Sequence, residues 1–225
     1  MPDLAERVLH LLLLVPVFIP AIVLHEYAHA WTAHRRGDMT AKMMGRLTLD
    51  PKAHFDPIGA LMFVISSLSG IGFGWAKPVP VNFANLRNPL RDMVWVSAAG
   101  PLSNLCQATV WYALYWGVCF ALGRPSGDFL STPQSPVGVL YYLPAQGLIL
   151  NLVLMAFNLL PIPPLDGSRI LVGTLPPRQA AFIAGLEPIG FVLLLAFLYF
   201  GLFGFVTHPL LMVALRLLLL PFQVG

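Results

Sequence analysis

The sequence predicts an all-α integral membrane protein: a polytopic helical bundle of about five to six transmembrane segments with a short re-entrant or β-hairpin segment. Three observations predict it. Of 225 residues, 57% are hydrophobic and 10% charged, against about 25% charged in an average soluble domain. Apolar runs cover residues 7–33, 57–73, 91–122, 138–162, 179–203 and 205–222, and most approach the roughly 20 residues that a span requires. The connections between them are short. The longest, residues 34–56, leaves no room for an appended soluble domain. Residues 1–225 therefore read as one membrane-embedded domain.

The run 57–73 differs from the others. It is short, holds Ser66, Ser67, Ser69, Gly70 and Gly72, and leads through Gly74 to Trp75. If it crosses, the loops carry six Lys/Arg on each side, with Arg216 left out. If it enters and returns, ten gather on one side, from Arg35 to Arg178, and only Arg7 and Arg124 remain on the other. The second count satisfies the positive-inside rule. It predicts five spans plus a re-entrant segment, with residues 34–56 and 75–90 in the cytoplasm.

A net charge of +3, scattered along the chain, excludes a nucleic-acid surface. Cys106 and Cys119 share one apolar run, about 20 Å apart along a helix and beyond disulfide reach. The N-terminus lacks the features of a signal peptide. Nothing in the sequence fixes an oligomeric state.

Three ionisable residues interrupt the first run in "LHEYAHAW", residues 24–31. His25 and His29 are four apart and share a helix face. Their ring nitrogens suit one Zn²⁺, and Glu26, rotated by about 100°, is placed as a general base. Ionisable groups inside a membrane are costly and mark function. A hydrolytic zinc site takes a third protein ligand. The candidate is Asp166 in "NLLPIPPLDG", where Pro161, Pro163 and Pro164 break the helix. Such backbone at membrane depth is tolerated only where protein or water surrounds it. Glu187 and, more weakly, Asp50 are rivals. His34, His54 and Asp56 read as interfacial loop residues.

These motifs together resemble the site-2 protease family of intramembrane zinc metalloproteases, in a short form without PDZ or CBS modules. H-E-x-x-H stands at 25–29, and N-x-x-P-x-x-x-x-D-G matches at Asn158, Pro161, Asp166 and Gly167. "GPLSN", residues 100–104, resembles the family's G-P-x-x-N, and "GFG", residues 72–74, its membrane-entering hairpin. The resemblance implies one Zn²⁺ on His25, His29 and Asp166, Glu26 as base, and cleavage of transmembrane-helix proteins within the lipid bilayer of a prokaryotic cell membrane. It also suggests Asn158 as an amide donor to the oxyanion, although capping of backbone freed near Pro161 explains it equally. Asn104 either orients a ligand or bonds between helices, the second being slightly the better reading. Residues 72–83, with Gly72, Phe73 and Gly74 at their head, read as an edge strand that binds substrate or as an interfacial loop anchored by Trp75; the resemblance favours the strand. Two other functions stay open: a non-catalytic membrane chaperone or adaptor, which needs no base, and a metal-ion transporter, which needs a polar path through the bilayer.

Overall fold

A computed structural model describes residues 4–68, 74–125 and 131–219. Its α-helices are α1 (Leu4–Arg35), α2 (Thr40–Met43), α3 (Pro57–Leu68), α4 (Pro89–Leu122), α5 (Pro136–Asn158), α6 (Asp166–Thr174), α7 (Pro177–Gly185), α8 (Gly190–Tyr199) and α9 (Phe203–Leu219). No strand forms among the described residues.

Among the described residues, four helical stretches are long and apolar enough to cross a bilayer: Leu4–Arg35, Pro89–Leu122, Pro136–Asn158 and Pro177–Tyr199. The last joins α7 to α8 through the 3₁₀ turn Glu187–Ile189. The described part of the final run, α9, has 17 residues, roughly 26 Å of helix. The described part of the second run, α3, has 12 residues, roughly 18 Å of helix against a hydrocarbon core of about 30 Å. Outward faces carry Phe120, Tyr199 and Phe205, each more than three-quarters exposed. In water such surfaces would associate; in a bilayer they are solvated. The chain is an integral membrane protein.

α4 is the central helix and packs on α1, α5 and α6. Small residues let helices approach closely: Ala108, Ala145 and Ala214 are buried where α4, α5 and α9 meet, around Tyr115 and Leu148. Caps fix the helix ends. The Ser135 side chain accepts the Gly138 N–H ahead of α5. Arg36, just past α1, donates to buried Asp92 in the first turn of α4 at 2.8 Å.

The chain on either side of α3 comes together. Lys77 N–H donates to the His54 carbonyl at 3.0 Å, and Gly74 lies against Phe63 of α3. Residues 74–82 are irregular and form no ladder, so the strand expected over residues 72–83 is absent from this described part. The reason is where its backbone groups go. Pro78 and Pro80 have no N–H. Lys77 N–H is taken by His54, Val79 N–H by Glu26 and Asn82 N–H by Asp38, while Arg46 donates to the Lys77 and Pro78 carbonyls. Gly72 and Phe73 lie outside the described residues. His54, read as an interfacial loop residue, is buried within the protein: it is 1% exposed, with Nε2 on the Thr48 carbonyl.

Candidate metal centre

α1 carries His25 and His29 one turn apart on the face toward α4, both buried. Asp166 arrives from the other side. Leu159 ends α5, the segment with Pro161, Pro163 and Pro164 turns the chain, and Asp166 is the first residue of α6. The sequence reading set Asp166 on irregular backbone; the irregular part ends one residue earlier, at Leu165. Gly167 makes the turn possible. A Cβ there would lie 2.2 Å from the Leu159 carbonyl oxygen, a separation only glycine avoids.

The three side chains converge. His25 Nε2 and His29 Nε2 are 3.0 Å apart, and Asp166 Oδ2 lies 3.2 and 3.3 Å from them. The protons on the rings can be placed from their far sides. His25 Nδ1 is 2.6 Å from Asn104 Oδ1. The Asn104 amide nitrogen is spent on the Ala21 carbonyl and Asn151 Oδ1, so its oxygen faces the ring, and Nδ1–H must donate. His29 Nδ1 donates likewise to the Val96 carbonyl at 2.7 Å. With neutral rings, both Nε2 atoms present lone pairs to the same point. Asp166 Oδ2 is buried there without a hydrogen-bond partner. Three lone-pair donors this close repel one another unless a cation lies among them. Their types, two imidazoles and one carboxylate, fit zinc.

Gly100 of α4 presses on the pair. A Cβ at this position would lie 2.3 Å from His29 Nε2 and 2.5 Å from His25 Nε2. One turn on, Asn104 reaches His25, so it both fixes that ring and bonds between helices. Asn151 of α5, which the sequence reading missed, holds Asn104 in turn and donates to the Gly147 carbonyl. An asparagine in the middle of the apolar run 138–162 was the available signal.

The cluster opens onto a cavity of about 360 Å³. Glu26, Gly74, Asn158 and Arg169 line it among apolar side chains, including Val79, Phe157 and Leu194. Glu26 Oε2 accepts the Val79 N–H at 2.8 Å. Asn158 faces the cavity while its amide donates back to the Leu154 carbonyl, so one N–H of that amide is engaged within α5. Glu187 stands apart from the cluster, paired with Arg169 at 3.9 Å.

A family model described as Peptidase family M50 matches residues 13–197. Curated relatives named “Putative zinc metalloprotease” are similar along much of the chain. YwhC of Bacillus subtilis is 39% identical over 198 residues, which is 88% of this chain and 85% of that protein. Rip2 of Mycolicibacterium smegmatis is 32% identical over 190 residues, 83% of this chain and 66% of its own length. Rip2 of Mycobacterium tuberculosis H37Rv is 33% identical, and the match covers 79% and 63%. The chain thus spans just under two thirds of these two mycobacterial relatives. No solved structure matches the chain.

Proposed function

The chain belongs to peptidase family M50, and from that premise we propose that it is an intramembrane zinc metalloprotease hydrolysing peptide bonds in or near the transmembrane helices of membrane-protein substrates. The observation that carries this reading is the convergence of His25 Nε2, His29 Nε2 and Asp166 Oδ2 within 3.0–3.3 Å, beside a carboxylate that lines the same cavity.

His25, His29 and Asp166 would hold the zinc ion, with Asn104 and Val96 setting the two rings from behind. When bound, zinc supplies Lewis acidity to water and to the scissile carbonyl. Glu26 takes a proton from the attacking water and passes it to the leaving amine. The Val79 N–H orients the Glu26 carboxylate for this work. Asn158 directs its remaining amide N–H toward the developing oxyanion. The apolar cavity walls exclude bulk water and strengthen each of these polar contacts. Gly74 lines the cavity, which supports a substrate path along Gly72, Phe73 and Gly74; beyond them the backbone donors are engaged, and an added strand finds little edge to pair with.

The unit is a single membrane domain of five spans and one re-entrant segment, and its site faces the cytoplasm of a prokaryotic cell, where it serves regulated intramembrane proteolysis. The Lys77–His54 hydrogen bond supports re-entry, because it joins the two chain ends flanking residues 57–73. In a background lacking Cys106 and Cys119, Thr48→Cys and Arg87→Cys are shielded from an impermeant thiol reagent in intact cells, and Ser126→Cys is labelled. Opposite labelling of positions 48 and 87 would mean that the segment crosses.

The central test is purified protein in detergent with a tagged single-span substrate. Wild type carries near one zinc per chain and loses cleavage to a chelator. Glu26→Gln keeps zinc and cuts at least about 10²-fold more slowly. Cleavage at the wild-type rate by Glu26→Gln, or untouched by chelator, would overturn the assignment and leave a binding or transport role.

A further inference from the structure

We propose that Arg169 sets substrate specificity: its guanidinium draws in a substrate segment that carries an acidic side chain close to the scissile bond. This inference rests on the protease reading above and goes on to the chemistry of the substrate.

Arg169 lies three residues beyond Asp166 on α6, and residues so spaced share a helix face. It is the one Lys or Arg among the described residues lining the cavity. The other ionisable groups there are His25, Glu26, His29 and Asp166. Its guanidinium sits over the Phe83 ring at 5.4 Å. Phe83 lines the cavity too, so the planar group is braced from the wall formed by the 74–83 segment. A cation–π contact uses no N–H donor as a hydrogen bond to oxygen, so the guanidinium keeps donors that can match a carboxylate in bidentate fashion.

Its carboxylate neighbour is Glu187, at 3.9 Å. That is too long for a hydrogen bond, and the Glu187 side chain is 66% exposed. A pair of this kind contributes little, and a substrate carboxylate held inside the cavity replaces it. An acidic residue near the cut then gains a partner in a setting less screened than water. A basic residue at the same place meets like charge.

The experiment uses the full chain in detergent and a single-span substrate that places Gln, Glu or Lys, one position at a time, on either side of the cut. At one such position we expect wild type to favour Glu over Lys by about 10-fold in kcat/KM, a coupling of roughly 1.4 kcal/mol. Arg169→Gln brings that ratio to within about 2-fold, Arg169→Lys keeps its sign at a smaller size, and Arg169→Glu inverts it. Glu187→Gln, on an exposed side chain, removes the competing carboxylate and raises the ratio. A purely structural arginine would alter stability and leave the charge preference alone. Wild type without a Glu-over-Lys preference at any position overturns the proposal, as does Arg169→Glu with the wild-type preference or Glu187→Gln with a lowered one. The two levels separate cleanly. Cleavage that depends on Glu26 but ignores substrate charge removes only the role of Arg169. No Glu26-dependent cleavage of any substrate removes the protease reading, and this inference with it.

Discussion

Two proline-bearing segments border the same cavity and solve the same problem in different ways. In residues 160–165 the chain leaves α5 and turns so that Asp166 faces the histidines. Its donors stay local: Leu160 N–H goes to the Phe157 carbonyl and Leu165 N–H to that of Ile162. In residues 77–82 the donors go far away, Val79 to Glu26 of α1 and Asn82 to Asp38 of the following loop. The first segment is a self-contained bracket for a ligand. The second is a strap whose position depends on side chains more than forty residues distant in the chain. Prolines serve both, because each removes an N–H that would otherwise need a partner.

The comparison predicts a hierarchy. Damage to the bracket's ligand comes first: Asp166→Ala loses zinc from the purified protein by metal analysis, whereas Glu187→Gln retains near one per chain. The reverse pattern would make Glu187 the third ligand. Next is the bracket's shape. Gly167→Val sets a side chain against the Leu159 carbonyl and weakens zinc affinity by about 10–100-fold in a chelator competition, the size found when ligand supports are disturbed. Damage to the strap spares the metal. Val79→Pro removes the N–H that orients Glu26, and turnover falls roughly 10-fold, as expected for loss of one hydrogen bond to a charged group, with zinc content unchanged. Val79→Ala keeps the N–H and most of the rate; if it falls as far as Val79→Pro, side-chain packing and not the donor is responsible.

The effect at the strap's far anchor falls on stability and leaves the chemistry alone. Asp38 is fully buried. Burial works against its carboxylate, but the Thr40 hydroxyl, the Asn82 and Thr40 N–H groups and the Asn85 amide outweigh it and hold the pKa below the ordinary aspartate value. A depressed carboxylate stabilises the fold above its unfolded pKa, about 3.9, and that contribution fades as pH falls through the folded value. Asp38→Asn costs roughly 1.5–3 kcal/mol at neutral pH, and the gap to wild type narrows in acid. A thermal-unfolding series from neutral to about pH 3 checks this; a gap constant with pH would show that charge plays no part.

The metal side of the molecule was legible in the sequence because helical spacing and proline chemistry are local. His25 and His29 share a face by arithmetic, and Pro161, Pro163 and Pro164 forced the break ahead of Asp166. What escaped was long-range. No local pattern announces that Val79 N–H meets Glu26, 53 residues earlier, so alternating valines and prolines looked like a free strand edge when the edge was already occupied. His54 read as a loop residue, and its burial escaped for a different reason: its partner, six residues back, is a backbone carbonyl that leaves no mark in the sequence. Asn151 was visible as a polar residue in an apolar run, but its role needed α4 and α5 side by side. Of the five spans expected, four are long and apolar enough among the described residues; the fifth, the run 205–222, is described only as far as Leu219.

The relay behind His25 ends in amides, Asn104 and Asn151, and behind His29 in a backbone carbonyl. Metal-binding histidines often lean instead on a carboxylate. Neutral supports leave the charge of the centre to its inner groups alone. Two neutral imidazoles add nothing, Asp166 and Glu26 together bring two negative charges, and a divalent ion cancels them. A divalent ion held there would be offset by Asp166 and Glu26, with the Arg169 guanidinium the remaining charge on the cavity wall, a smaller burden for a bilayer than a bare ion. A monovalent or trivalent ion would be offset less well by the two carboxylates alone, so ionic charge would act beside coordination geometry in discriminating among metals.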